Sequence, residues 1–193
     1  GLNLSKDEAS ESHYKWFPYN KGGSERKWYG NMEYVIDWHK NGKNIKDYKL
    51  GQAKLKPSYN TAIAAQSCIF KPHLSWSFVC SNAFSCRKYP KGFLFDVAGS
   101  SIFPNETTDN QYLLSFLNSN VARRYLNVLN PTINYQPGNI ASLPFIFEDK
   151  HKMEINEIDT ICSEISKSEW NTRETSWEFT SNPLISAKAQ DIE

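Results

Sequence analysis

A cluster of cationic and aromatic residues, Arg26–Tyr29 (RKWY), follows the glycine pair Gly22-Gly23 near the start of the chain. Arginine and lysine neutralise nucleic-acid phosphates, aromatic rings stack on bases, and asparagine amides hydrogen-bond to base edges. The pattern therefore predicts a nucleic-acid contact loop with glycine hinges. Its candidate contacts are Lys21, Arg26, Lys27, Trp28, Tyr29 and Asn31.

This loop has two other interpretations. In the first, Trp28 and Tyr29 point into the protein and only the charges reach solvent; the residues alone do not separate this from base stacking. In the second, the loop cradles a nucleotide phosphate. That interpretation fails because the chain has neither the GxxxxGK[ST] pattern nor the GxGxxG pattern here.

The basic residues are concentrated in one part of the chain, although the net charge of the whole is only +1. Residues 15–91 contain 14 Lys or Arg against 4 Asp or Glu, whereas residues 99–193 contain 7 against 13. A segment this basic favours a polyanionic partner, and a lysine-rich solubility surface is the alternative. Further candidates for backbone contacts are Lys40, Lys43, Lys46 and Lys49, with Arg87 and Lys88 as a third group.

Catalytic and metal-binding motifs are not supported by the sequence. The four cysteines form no CxxC pair and the four histidines are scattered, so we expect free thiols of a cytosolic protein. Glu148-Asp149-Lys150 resembles half of a magnesium nuclease site, but no aspartate partner precedes it on a strand. Asn130-Pro131 resembles the start of the Asn-Pro-Pro-aromatic loop of amino methyltransferases, but the second proline and the aromatic are missing. Both are rejected as sites.

Short β-branched and aromatic segments predict a sheet that would position the loop. The predicted strands are residues 32–37, 74–80, 84–89, 92–99 and 100–104. Asn41-Gly42 predicts a tight turn. The lysine-rich residues 39–60, which include this turn, are predicted to form an exposed excursion. Residues 60–66 are predicted to form a short helix.

Helical periodicity follows the strands. A helix is predicted over 107–131, capped by Thr108 or Asp109 and ended by Pro131. Its apolar positions are Leu113, Phe116, Leu117, Val121, Leu126 and Leu129. Residues 134–147 predict a turn and a strand. A second helix, over 153–167, places Ile155, Ile158, Ile161, Cys162 and Ile165 on one face. The class is α+β: a twisted mixed or antiparallel sheet with flanking helices and a C-terminal helical segment. No apolar run approaches the roughly 20 residues that span a bilayer, so we expect no membrane partner.

Four segments, in order, resemble the target-recognition region of large adenine-specific DNA methyltransferases of the type IIG restriction–modification and BREX phage-defence (PglX-like) group. They are residues 15–38, 89–104, 113–145 and 166–179, and they cover most of the chain. The chain opens at Gly1 without methionine, so we expect an excised fragment. The resemblance implies that this fragment is a C-terminal piece of a longer protein.

Residues 1–14 are polar, which predicts a flexible lead-in. The resemblance implies a DNA target recognition domain over 15–147 and a C-terminal helical segment with a tail over 148–193. It implies that double-stranded DNA is the partner and that the S-adenosylmethionine domain lies upstream in the parent chain. This piece would then hold no cofactor and catalyse nothing itself. The alternative function is a protein-interaction module of the defence complex, whose basic face binds another subunit or a phage inhibitor.

Overall fold

The computed structural model describes residues 2–52, 63, 65–105 and 108–186. Its helices are α1 (Lys6–Glu11), α2 (His39–Gln52), α3 (Asn110–Asn118), α4 (Asn120–Leu129), α5 (Pro137–Ala141), α6 (Asp149–Trp170) and α7 (Pro183–Ser186). Its strands are β1 (Trp16–Asn20), β2 (Tyr34–Asp37), β3 (His73–Ser77), β4 (Cys86–Tyr89), β5 (Leu94–Phe95) and β6 (Gly99–Ile102). The predicted α+β class is confirmed. Five predicted segments, 32–37, 74–80, 84–89, 92–99 and 100–104, each overlap an observed strand, whereas β1 was not predicted.

The strands form two small sheets instead of one. In the first, with the order β2-β1-β5, β1 pairs antiparallel with β2 and parallel with β5. In the second, with the order β4-β3-β6, both pairings are antiparallel. The buried side chain of Asn20, at the end of β1, links the sheets: its Nδ2 donates to Ser75 Oγ at 2.7 Å and to the Gly99 carbonyl at 3.4 Å. These bonds satisfy a buried amide that would otherwise destabilise the fold.

The main core lies between the second sheet and helices α3 to α5. Trp76 of β3 packs in one cluster with Leu114 and Leu117 of α3 and Leu126 of α4. Its indole Nε1 donates to the Tyr135 carbonyl at 2.8 Å, so the polar atom of the ring is satisfied inside the core. A second cluster belongs to the first sheet and contains Ala9, Phe17, Trp38, Ile69, Phe70 and Leu94.

The segment expected to be a flexible lead-in contains the short helix α1. Ser5 Oγ accepts a bond from the Glu8 backbone at 3.3 Å, and the Glu8 carboxylate accepts one from the Ser5 backbone at 2.6 Å. This capping box satisfies two of the amides that a helix N-terminus leaves unpaired. The single apolar residue Ala9 then packs on the first-sheet cluster.

The predicted exposed excursion is instead helix α2 over the part that the structure describes. Lys40, Asn41 and Gly42 adopt left-handed backbone angles, which confirms the turn signal, and a helix then runs to Gln52. A Cβ at Gly42 would lie 2.6 Å from the Trp38 ring, so the turn packs closely on that core residue. Residues 53–62, and with them most of the predicted helix 60–66, lie outside the described residues.

The predicted helix 107–131 is two helices, α3 and α4, with Ser119 between them. The backbone of Ser119 is extended (φ −73°, ψ 160°), and its Oγ accepts a bond from the Ala122 amide at 3.2 Å. The serine therefore ends one helix and caps the next. The cap by Asp109 is confirmed: its Oδ1 accepts from the Gln111 and Tyr112 amides. Because the break reorients α4, Val121 and Leu129 of the predicted apolar face are exposed.

The strand predicted within residues 134–147 is absent. The structure has α5 there, started by Pro137 at its first turn, and an isolated bridge pairs Asn134 with Val79. The last long helix, α6, extends beyond the predicted 153–167 at both ends. The predicted apolar positions do share one face of α6, but this face is not buried, because Ile158, Ile161 and Ile165 are exposed.

Candidate nucleic-acid interface

The glycine pair shapes the start of the candidate loop. Gly22 and Gly23 have φ angles of +73° and +126°, a region that side chains strongly disfavour. A Cβ on Gly22 would also collide with the carbonyl of Ala98. The Gly22 amide donates to Asn20 Oδ1 at 3.2 Å, and Ser77 Oγ donates to the Gly23 carbonyl at 2.8 Å. The pair is therefore a fixed turn held against both sheets.

Arg26 is committed to contacts inside the protein. Its guanidinium carbon lies 4.9 Å from the centre of the Trp170 ring, and its Nη2 forms an ion pair with Glu169. Its Nε donates to the Tyr29 carbonyl at 3.3 Å, and its side chain is only 11% exposed. The hydrogen bond from Arg26 holds the pKa of Glu169 below its usual range. Arg26 thus fastens the loop to the end of α6.

Trp28 adopts the inward orientation. Its amide donates to the Cys86 carbonyl at 2.9 Å and its carbonyl accepts from the Lys88 amide at 3.1 Å, so the backbone pairs alongside β4. Its ring packs on the main core. This pairing requires a left-handed backbone at Trp28, with φ +69°. The structure therefore favours the interpretation in which the tryptophan is structural, not stacked on bases.

The remaining loop candidates also have internal partners. Asn31 is buried, and its Nδ2 donates to the Ser24 carbonyl at 2.8 Å. The ammonium of Lys27 donates to the Asn118 carbonyl at 2.8 Å. Tyr29 is partly exposed, the Lys167 ammonium lies 5.7 Å from its ring, and burial raises the pKa of its phenol. Of the six loop candidates, only Lys21 belongs to the exposed class.

Arg87 cannot contact a ligand in this conformation, because it is 0% exposed. Its Nη2 donates to Ser77 Oγ at 3.2 Å and its Nε to Tyr89 Oη at 3.3 Å, while Nη1 has no partner among the described residues. The neighbouring Lys88 alternates to the other face of β4. Its side chain is 43% exposed, and its ammonium lies 3.9 Å from the carboxylate of Asp159.

The lysines of α2 divide in the same way. Lys46 is only 3% exposed, its ammonium lies 5.4 Å from the Trp38 ring, and burial lowers its pKa. Lys40, Lys43 and Lys49 are exposed, and Lys43 pairs with Asp47 on the helix surface. The exposed cations of the β1–β2–α2 unit are therefore available to a polyanion, whereas Lys46 is a packing residue.

Two cation–aromatic pairs on the first sheet were missed by the sequence analysis. The Lys15 ammonium lies 5.1 Å from the Trp16 ring, and the Lys21 ammonium lies 5.6 Å from the Tyr34 ring. Both rings are exposed. The register of β1 with β2 places Trp16 opposite Asp37 and Tyr34 opposite Tyr19, so the two rings point to opposite faces of the sheet. Lys15 beside Trp16 was an available signal, whereas Lys21 and Tyr34 are distant in sequence and left none.

Two buried titratable groups outside the loop, His73 and Cys86, are held in their neutral forms. Burial lowers the pKa of His73 to about 4, and its ring stacks on Tyr89 at 5.1 Å between centres. Burial raises the pKa of the Cys86 thiol to about 12. The four cysteines are free, and the described residues contain no group of three or more His, Cys, Asp or Glu placed to hold a metal ion. Glu148 and Lys150 form an exposed ion pair at the start of α6.

None of the helices in the described part of the chain is long and apolar enough to cross a membrane.

Comparison with known proteins points to adenine-specific methyltransferases, and no protein-family model matches the chain. The chain is 38% identical over 190 residues to "Adenine-specific methyltransferase PglX" of Lacticaseibacillus casei (strain Zhang). It is 34% identical over 186 residues to "Adenine-specific methyltransferase BrxX" of Escherichia coli O9:H4 (strain HS). These matches cover 97% and 95% of this chain but only 15% and 14% of those proteins. The resemblance to PglX-like methyltransferases is therefore confirmed over nearly the whole chain, which spans about one seventh of its relatives.

Proposed function

We propose that the chain is the DNA target-recognition part of a longer N6-adenine methyltransferase of a BREX or restriction–modification phage-defence system. The observation that carries this proposal is the match of nearly the whole chain to a small segment of two adenine-specific methyltransferases. A methyltransferase acting on adenine in a duplex must find a site and extrude the base. In the proposed division of labour, this chain holds the duplex, and the rest of the polypeptide binds S-adenosylmethionine and transfers the methyl group.

The proposed phosphate contacts are the exposed lysines Lys21, Lys40, Lys43 and Lys49. Lysine ammonium groups neutralise phosphates without reading sequence. Lys43 remains a candidate despite its pair with Asp47, because an exposed ion pair of this kind contributes little and exchanges readily. Lys88, with a half-exposed side chain, is a secondary candidate.

The internally bonded loop residues take a different role in this proposal. Arg26, Trp28 and Asn31 hold the turn after Gly22-Gly23 in one conformation, so that its exposed residue Ser24 meets the duplex in a fixed position. Lys46 and Arg87 are buried and are left out of the contact set. In the alternative function, a protein partner would cover Trp28 and Tyr29 on the basic face. The packing of the Trp28 ring on the protein's own core favours the DNA proposal over it.

The proposal is tested by the salt dependence of DNA binding. Fluorescence anisotropy would measure the affinity of the chain for duplex DNA across a salt series, for wild type, Lys40→Gln/Lys49→Gln, and the control Arg123→Gln/Lys150→Gln. Each lost phosphate contact lowers the slope of log K against log [salt] by about 0.9. We expect a shallower slope only for the first double variant.

Equal slopes for the two double variants would contradict the contact set. If the chain alone does not bind at low salt, the same variants are measured in the full-length polypeptide, where the missing part can close around the duplex. Absence of binding there would reject the DNA-recognition function itself.

A further inference from the structure

Helix α6 turns a polar face toward the body of the protein. Asn156, Asp159 and Ser163 recur at helical spacing on that face, and Asp159 is fully buried. Its Oδ2 lies 3.3 Å from Gln111 Nε2 on α3 and 3.9 Å from the Lys88 ammonium. Asn156 Oδ1, Asp159 Oδ1 and Ser163 Oγ have no hydrogen-bond partner among the described residues. An amphipathic surface helix normally directs its apolar stripe inward, so this orientation is reversed.

The apolar stripe of α6 faces outward. Ile158, Ile161 and Ile165 occur at i, i+3 and i+7 and are 49%, 50% and 64% exposed. Isoleucine is among the residues most often fully buried, and single exposed isoleucines need no explanation, but an aligned row on one helix forms a continuous apolar face. The outer side of α6 therefore carries an apolar stripe that another surface could cover.

The charges beside the stripe indicate what that surface is. Glu154, Glu157 and Glu164 are exposed on the same helix, next to the isoleucines. Carboxylates repel DNA phosphates, so the duplex does not cover this face. They suit a protein surface that combines apolar side chains with lysine or arginine.

We propose that the isoleucine face of α6 is a docking surface for another part of the same full-length polypeptide, a surface with apolar side chains and basic flanks. This rests on the proposed function, in which the chain is one part of a longer protein. The matched relatives carry about 85% of their length outside the matched segment, so an intramolecular partner is at hand. Three half-exposed isoleucines make a patch far below the roughly 800 Å² per partner of a stable complex between separate chains. Within one chain the effective concentration reaches the millimolar range, and a small patch is then sufficient.

The test compares the 193-residue chain with the full-length polypeptide, each as wild type, Ile161→Glu, and the control Val97→Glu, which changes an exposed valine in the loop between β5 and β6. Hydrogen exchange of the α6 amides and the thermal midpoint are measured in all six proteins. We expect Ile161→Glu to change the short chain only slightly, through repulsion from its helical neighbours Glu157 and Glu164. In the full-length protein it should speed α6 exchange at least tenfold and lower the thermal midpoint beyond that change. Val97→Glu should leave α6 exchange unchanged in both.

The proposal would be overturned if α6 exchanges at the same rate in full-length wild type and full-length Ile161→Glu. It would also be overturned if Ile161→Glu destabilises the short chain as much as the full-length protein. A short chain that elutes as a dimer, and becomes monomeric with Ile161→Glu, would instead assign the face to a second copy and would also overturn it. DNA binding by the full-length protein is recorded in parallel. If the full-length protein does not bind DNA but Ile161→Glu still speeds α6 exchange in it, the recognition function alone is refuted. If the full-length protein binds DNA but Ile161→Glu does not change α6 exchange, the docking surface alone is refuted.

Discussion

Replacing Arg26 with alanine separates a structural arginine from a DNA contact. The substitution removes the stacking of the guanidinium on Trp170, the ion pair with Glu169 and the hydrogen bond to the Tyr29 carbonyl. A partly desolvated cation–π contact contributes about 1–2 kcal/mol, a hydrogen bond about 1 kcal/mol, and an ion pair whose carboxylate is half-exposed under 1 kcal/mol. We therefore expect the free energy of unfolding to fall by about 2–3 kcal/mol in urea denaturation.

The same variant carries a pH signature. Because Arg26 lowers the pKa of Glu169 in the folded state, the stabilisation of that carboxylate is present above its unfolded pKa, about 4.3, and is lost as the pH falls through the folded value. The difference in stability between wild type and Arg26→Ala should narrow below about pH 4.

The controls follow from the geometry. Arg26→Lys keeps the charge but loses the planar stack and the fork, so it should recover only part of the stability. Arg123→Ala, an exposed arginine on α4, should change the free energy of unfolding by less than about 0.5 kcal/mol. The structural role would be refuted if Arg26→Ala left the free energy of unfolding unchanged and also weakened the salt dependence of DNA binding by the amount expected for one lost phosphate contact.

Two further predictions concern backbone strain and a buried charge. Gly22→Ala should lower the free energy of unfolding by about 1–3 kcal/mol, because the new Cβ meets the Ala98 carbonyl at a positive φ angle. Gly138→Ala, whose Cβ would meet nothing within 4 Å, should be neutral or stabilising in the same denaturation assay. Asp159→Asn should stabilise the protein at pH 7, because burial raises the pKa of the carboxyl and ionising it opposes folding. The wild type loses stability as the pH rises through the raised folded pKa of Asp159, whereas Asp159→Asn does not. The stability gain of the variant should therefore vanish by about pH 4, where Asp159 is protonated in both states. A gain that persists at that pH would contradict this cause.

Local patterns in the sequence predicted much of the secondary structure. β-branched and aromatic segments located five of the six strands in the described residues, and the carboxylate of Asp109 located the start of α3, because these signals act over a few residues. They missed β1 and wrongly placed a strand within residues 134–147, where the structure has α5. The helix break was not predicted. Ser119 sits within a continuous apolar periodicity, and only its extended backbone and its bond from Ala122 separate the two helices.

The orientation of the candidate contacts was the main point that the sequence left open. Residue type alone does not show which cations of a basic segment are exposed. Lys40 and Lys46 both belong to α2, but Lys40 is exposed and Lys46 is buried on Trp38. Lys88 reaches solvent, while its neighbour Arg87 is fully buried, because adjacent residues of β4 point to opposite faces.

The α+β class, the places of most strands, the basic segment 15–91 and the resemblance to adenine-specific methyltransferases could be predicted from the sequence. These depend on residue type and local order, which are present before the chain folds. The ion pair of Arg26 with Glu169, 143 residues away, and the outward direction of the isoleucines of α6 became visible in the folded protein alone. The direction of a side chain is set by what packs across from it. A partner distant in sequence leaves no periodic signal in the segment that it fixes.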